Sequence, residues 1–180
     1  MKGSRVAKRY ARALLDLADK GNEEKWGVEL ERLAAMVESP ELIERLASPE
    51  LSDQSRQEAM AKIAERLNLS FPVRSFAVVI ARHGRIREIG AIAESYREQV
   101  DQAMGRERAT LTFAIQPSDA EVARVVNGLE TIAKLKIIPT VKIDGALLGG
   151  VTAEMGGKIY DGSLATRLAE AKRRLAGQAG

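Results

Sequence analysis

The apolar residues of this chain change their period at about residue 105, and that change limits the folds open to it. Before it they recur every three or four positions, which lays a stripe along a helix. After it they alternate with polar residues, which gives a strand one buried face. Val6, Tyr10, Leu14 and Leu17 form the first stripe, with Gly21 as the expected stop. Asn22 is the expected cap of a second helix, carrying Trp26, Leu30, Leu33 and Val37 and ending before Pro40. Ser39-Pro40-Glu41 supplies a cap, a first helical proline and an acid suited to the helix dipole, and opens a short helix with Leu42, Ile43 and Leu46. Ser52-Asp53 starts another with Ala59, Ile63 and Leu67. The run Phe76-Ala77-Val78-Val79-Ile80 is apolar nearly all round, which predicts a central helix. Beyond Gly84, the positions Ile86, Ile89, Ala93, Tyr96 and Val100 mark a last long helix. Six helices with short connections predict an antiparallel bundle over residues 1–105.

Residues 106–180 predict a small α/β domain. Ala109, Leu111, Phe113 and Ile115 alternate as a strand, and Pro117-Ser118-Asp119 ends it and caps a helix faced by Val122, Val125, Leu129 and Ile132. Residues 137–143 form a second strand, which Pro139 confines to an edge or a bulge because it has no N–H for a central ladder. Gly149-Gly150 leads into a strand at 151–155, and Gly156-Gly157 turns the chain into Lys158-Ile159-Tyr160. Asp161-Gly162-Ser163 then turns into a C-terminal helix ending near Gly177. The expected fold class is mainly α, a six-helix N-terminal bundle followed by a small α/β C-terminal domain.

Composition narrows the chemistry. There is no cysteine, so no disulfide or thiolate, and the single histidine, His83, cannot build a two-histidine metal site. His83 follows an apolar helix, where a cap or dipole partner is the expected role. No nucleotide-binding loop is present: position 152 is threonine where such a loop needs glycine, and Ile159 follows Lys158. Glu154 and Asp161 are acids that acid–base chemistry could use, but their hairpin position predicts turn and surface roles. No apolar run approaches the ~20 residues of a membrane span. Asp16 and Asp19 argue against reading the basic N-terminal helix as a transit peptide. The pI of 9.3 and the cluster Arg82-His83-Gly84-Arg85-Ile86-Arg87 raise nucleic-acid binding. Yet residues 1–105 carry 17 basic against 17 acidic side chains, and no stacking aromatics accompany the cluster.

The most specific stretch is Asp144-Gly145-Ala146-Leu147-Leu148-Gly149-Gly150-Val151, followed by Gly157-Lys158-Ile159-Tyr160-Asp161-Gly162-Ser163-Leu164-Ala165-Thr166-Arg167-Leu168. Each residue is also explained by a hairpin followed by a capped helix. Together with Arg9-Tyr10-Ala11-Arg12-Ala13-Leu14 near the start, the pattern resembles the delta (oligomycin sensitivity-conferring) subunits of F-type ATP synthases along essentially the whole chain. Gly149, Gly150, Asp161, Gly162, Ser163 and Arg167 carry the motif. Glu154 and Ala165 stand where the family often has arginine, and Gly157 where it often has an acid.

The resemblance implies a non-catalytic connector with no cofactor and no active site, which holds the catalytic head against rotor torque. It implies that the helical domain binds N-terminal segments of the alpha subunits and the second domain binds the b subunits of the peripheral stalk. Neither nucleic acid nor direct membrane insertion is expected. The expected location is peripheral, on the cytoplasmic side of a bacterial inner membrane. Expected contact residues are Val6, Tyr10 and Leu14 on the first helix and Phe76, Val79 and Ile80 on the fifth. Leu168 and Leu175, with Lys172-Arg173-Arg174, would serve the stalk. For each of these aliphatics, plain core packing is the alternative.

Overall fold

The computed structural model describes residues 5–147 and 149–162. It is mainly helical, with seven α-helices among the described residues and a four-stranded mixed sheet near the C-terminal end. The chain divides into two compact units, residues 1–100 and 101–180.

Six of the helices, α1 (Arg5–Leu15), α2 (Glu23–Val37), α3 (Pro40–Ala47), α4 (Asp53–Arg66), α5 (Phe71–Arg82) and α6 (Ile89–Ala103), begin within the first unit. A 3-10 turn at Ile86–Glu88 leads into α6. The stripe of α2 is as expected, with Trp26, Leu30, Leu33 and Val37 all buried. So is that of the last helix, where Ile86, Ile89, Ala93, Tyr96 and Val100 are joined by Ile92.

Two other stripes sit one residue away from the expected line. In α1 the fully buried residues are Ala7, Ala11 and Leu14, while Val6 and Tyr10 are half-buried and Leu17 is 70% exposed. In α4 they are Met60 and Ala64, with Ala59, Ile63 and Leu67 at the margin. The cause is close helix packing: a small side chain on the contact line lets two backbones approach, and the larger neighbours are turned to the edges. Ala77, Ala81 and Ala93 repeat the device in α5 and α6.

The helix ends differ in detail. α1 stops at Leu15, well before Gly21. Asn22 occupies the N-cap position of α2 without a side-chain cap bond; instead the carboxylate of Glu23 accepts from the Gly21 N–H at 2.6 Å. Ser52 does cap α4, accepting from the Ser55 N–H at 3.1 Å. α5 is not enclosed on all sides: Val73, Ala77 and Ile80 face the core, but Phe71 and Val79 are exposed.

In the second unit, β1 (Arg106–Phe113) and β2 (Lys136–Ile143) run parallel, joined by the crossover helix α7 (Asp119–Ala133). β3 (Val151–Met155) lies antiparallel on the other side of β1 and forms a hairpin with β4 (Lys158–Asp161), so the order is β2-β1-β3-β4. β2 is an edge strand, which accommodates Pro139 opposite Ala109. Gly156 and Gly157 both take positive φ, +57° and +73°, as a two-residue hairpin turn requires.

Alternation in β1 buries Ala109, Leu111 and Phe113, and with Ala153, Met155, Ile137 and Leu129 they form the second core. Ile115 and Ile132 depart from expectation. Ile115 lies past the end of β1 and is 77% exposed, and the buried side of α7 turns through Val126 and Ala133 rather than Ile132. Asp101 closes the turn between α6 and β1. It is buried, and its carboxylate meets Arg108 Nε at 2.6 Å and an Arg106 guanidinium nitrogen at 3.1 Å.

Candidate partner-binding surfaces

The residues expected to bind partners separate into three groups. Leu14 and Ile80 are fully buried and belong to the first core. Val6, Tyr10 and Phe76 are half-buried, and Val79 is 43% exposed. Leu168 and Leu175 lie outside the described residues, as do Ser163, Arg167 and the expected C-terminal helix.

The second group gathers where α1 meets α5. The rings of Tyr10 and Phe76 stand edge to face with centroids 6.2 Å apart, and the His83 ring lies 6.5 Å from Tyr10. The Arg9 guanidinium sits over the Tyr10 ring at 5.8 Å. Phe76, Val79 and His83 are spaced three and four residues apart, so they share one side of the α5 axis. Here the all-round apolar character of α5 has its explanation. One side fills the core, and the other presents aromatic and aliphatic surface.

The position of this face is set by contacts that sequence spacing does not reveal. Glu29, buried in α2, accepts from the Ser70 N–H at 2.9 Å and from the Ser70 hydroxyl at 2.6 Å. Ser70 is the N-cap of α5, so a carboxylate from another helix holds the positive end of the α5 dipole. α1 is tied to α6 by the Gln99 side-chain amide, which donates to the Lys8 carbonyl at 3.2 Å. At the other end of α5, His83 is the C-cap, its backbone N–H directed at the Val79 and Ala81 carbonyls.

In the second unit the described motif residues meet at one end of the sheet. Gly149 and Gly150, with φ of +130° and +87°, form the wall of a cavity of about 500 Å³ that Phe113, Ile115, Pro117, Val125 and Val151 also line. Gly162 donates its N–H to the Val151 carbonyl at 3.0 Å, which extends the hairpin past Asp161. A Cβ at Gly162 would stand 3.3 Å from that carbonyl oxygen, tight enough to explain glycine there. Glu154 and Asp161 sit on separate cross-strand pairs, opposite Ile159 and Thr152. Among the described residues no group of three or more His, Cys, Asp or Glu side chains is placed to hold a metal ion. No helix among them is long and apolar enough to cross a membrane.

A family model described as ATP synthase delta (OSCP) subunit matches residues 6–175. The chain is 34% identical over 172 residues to "ATP synthase subunit delta" of Anaeromyxobacter sp. (strain Fw109-5), covering 94% of this chain and 96% of the relative. It is 31% identical over 171 residues to the protein of that name from Geobacter sp. (strain M21), covering 94% and 95%. Among solved structures, a chain of the cryo-EM structure of the Toxoplasma gondii mitochondrial ATP synthase hexamer shares the fold. The TM-score is 0.62 at 16% identity, over 96% of this chain and 98% of that one.

Proposed function

The chain belongs to the ATP synthase delta (OSCP) subunit family, a structural and not a catalytic part of that complex, and from that premise we propose that it is the connector between the catalytic head and the peripheral stalk. In this reading the helices of the first unit act as one antiparallel bundle. The face between α1 and α5, with Val6, Tyr10, Phe76 and Val79, receives N-terminal segments of the alpha subunits. The second unit meets the b subunits of the stalk, and the whole sits peripherally on the cytoplasmic side of a bacterial inner membrane. Its task is to keep the head from turning with the rotor during proton-driven ATP synthesis.

The observation that carries this reading is the Tyr10–Phe76 pair beside exposed Val79. An apolar, aromatic stripe between two helices fits the apolar face of a third, the helix-in-groove mode of recognition. Leu14 and Ile80 support that face from beneath, inside the core.

Co-purification from membranes tests it. A C-terminally tagged chain is expected to bring down alpha, beta and b subunits. Val79→Glu, a change on an exposed helical position, is expected to release alpha and beta while the helical circular-dichroism signal stays intact. Recovery of the chain without any of these subunits would overturn the connector reading.

A further inference from the structure

The strand β2 is bonded on one side only, and that divides its residues by parity. Lys136 donates its N–H to the Gly105 carbonyl at 3.1 Å, and Asp144, just past the strand, donates to the Phe113 carbonyl at 2.9 Å. In a parallel ladder this register turns the N–H and C=O of every even-numbered residue of β2 toward β1. Those of Ile137, Pro139, Val141 and Ile143 point away from it. β2 ends the sheet, so this second set faces no described strand. A row of unpaired N–H and C=O groups is a template for another strand unless something blocks it.

The first half of that edge is blocked. The Glu130 carboxylate accepts from the Ile137 N–H at 3.0 Å, and Pro139 has no N–H to offer. The second half is open. Among the described residues no hydrogen bond reaches the Val141 or the Ile143 N–H. Their side chains share the sheet face of buried Ile137, yet are 39% and 55% exposed. On the opposite face β2 presents exposed Lys142, which has no ion-pair partner among the described residues. Asp144, two residues on, turns its carboxylate to the Ala146 N–H at 2.9 Å.

We propose that the open half of β2, residues 140–143, takes an extended segment of a partner protein as an added strand, and that this segment alternates aliphatic residues with Asp or Glu. Its backbone pairs with Val141 and Ile143, and its aliphatic side chains lie beside theirs. Its carboxylates stand on the other face, toward Lys142. A second copy of this chain fits less well, because its own Lys142 would come to the same face, like charge beside like charge. Glu130 and Pro139 set where the added strand stops. The inference concerns the second unit alone and does not depend on the face between α1 and α5.

Two short labelled peptides, one alternating valine with glutamate and one valine with lysine, test the proposal by fluorescence anisotropy against the full chain. The glutamate peptide is expected to bind about two- to fivefold more tightly at low salt, as one exposed ion pair would give. Lys142→Glu should reverse that order. Val141→Pro removes an N–H that the β1 ladder does not use, so it should abolish binding of both peptides with the circular-dichroism signal unchanged. Hydrogen exchange should find the Val141 and Ile143 amides fast in the free chain and slowed by the glutamate peptide, with those of Thr140 and Lys142 slow throughout. Equal binding of both peptides, abolished by Val141→Pro, would overturn the acidic character of the occupant and leave the edge standing. Binding of neither peptide, binding that Val141→Pro leaves untouched, or no slowing at Val141 and Ile143 would overturn the edge as a site. A dimer in sedimentation that Val141→Pro abolishes would overturn the partner segment in favour of a second copy.

Discussion

Tyr96 shows how a single side chain can serve packing and carry a cost. It is fully buried, its hydroxyl finds no hydrogen-bond partner among the described residues, and its ring lies against Gly27. A Cβ at position 27 would stand 3.5 Å from that ring, so the glycine brings α2 close to α6 without being the only residue that fits. Burial, with the negative charge of Glu23 second, raises the phenol from 10.0 to about 12. The fold therefore holds this proton more tightly than the unfolded chain does. The resulting stability is complete below pH 10 and is lost as pH climbs toward 12. Tyr96→Phe keeps the ring and removes an unpaired hydroxyl, so stability at neutral pH should change by less than about 1 kcal/mol. Urea melts at neutral and alkaline pH should also show a smaller alkaline loss in the variant. A fall of several kcal/mol at neutral pH would mean the hydroxyl has a partner after all.

At the scale of elements, the ends of helices are where residues of the same type play different parts. Ser118 forms a full capping box on α7. Its hydroxyl accepts from the Glu121 N–H, and its own N–H and hydroxyl both donate to the Glu121 carboxylate at 2.8 Å. Those bonds, the backbone one foremost, hold the Glu121 carboxyl below its ordinary value. The box is therefore at full strength above the ordinary carboxylate range and weakens as pH falls through it. Ser118→Ala should cost about 1 kcal/mol at neutral pH. In urea melts repeated near about pH 3 the deficit should narrow, because the wild-type box is itself weakened there.

Ser39 and Ser70 occupy the same position on α3 and α5 without capping through their own hydroxyls. For α5 the work passes to Glu29, 41 residues away. Glu29→Ala would leave the start of α5 without its charged acceptor and open a gap in α2. A loss of roughly 2–3 kcal/mol is expected, of the size of bonds to a charged group. Hydrogen exchange should show the first turn of α5 opening earlier than the other helices. Unchanged protection there would remove Glu29 from the account of how the face between α1 and α5 is positioned.

At the scale of the whole molecule the two cores are separate sets of residues. The first runs from Ala7 to Val100 and the second from Ala109 to Met155. A fragment ending at Gly105 keeps α6 whole and retains every member of the first core, so it is expected to unfold as one cooperative transition with strong helical signal. A broad, non-cooperative melt would show that the first core needs the rest of the chain. The same fragment should still bring down the alpha subunit, as the proposed function expects of the full chain, since Val6, Tyr10, Phe76 and Val79 all lie within it. Binding by the full chain alone would place part of the proposed binding surface in the second unit.

The order of elements and their types were legible in the sequence because period and punctuation are local properties. Six helical stretches, the strand–helix–strand order of β1, α7 and β2, a strand that Pro139 confines to an edge or a bulge and a Gly156-Gly157 hairpin all follow from spacing and from residues that allow or forbid a backbone shape. The motif residues likewise pointed to the family that the comparisons establish. What spacing could not supply was the exact line of contact on α1 and α4. A stripe read from large aliphatics points at Val6 and Tyr10, whereas close packing puts Ala7 and Ala11 on the line and leaves the larger residues at its edges. Nor could it pair Glu29 with Ser70 or split α5 into a core side and an open one. Those are relations between segments distant in the chain, and only burial against particular neighbours decides them.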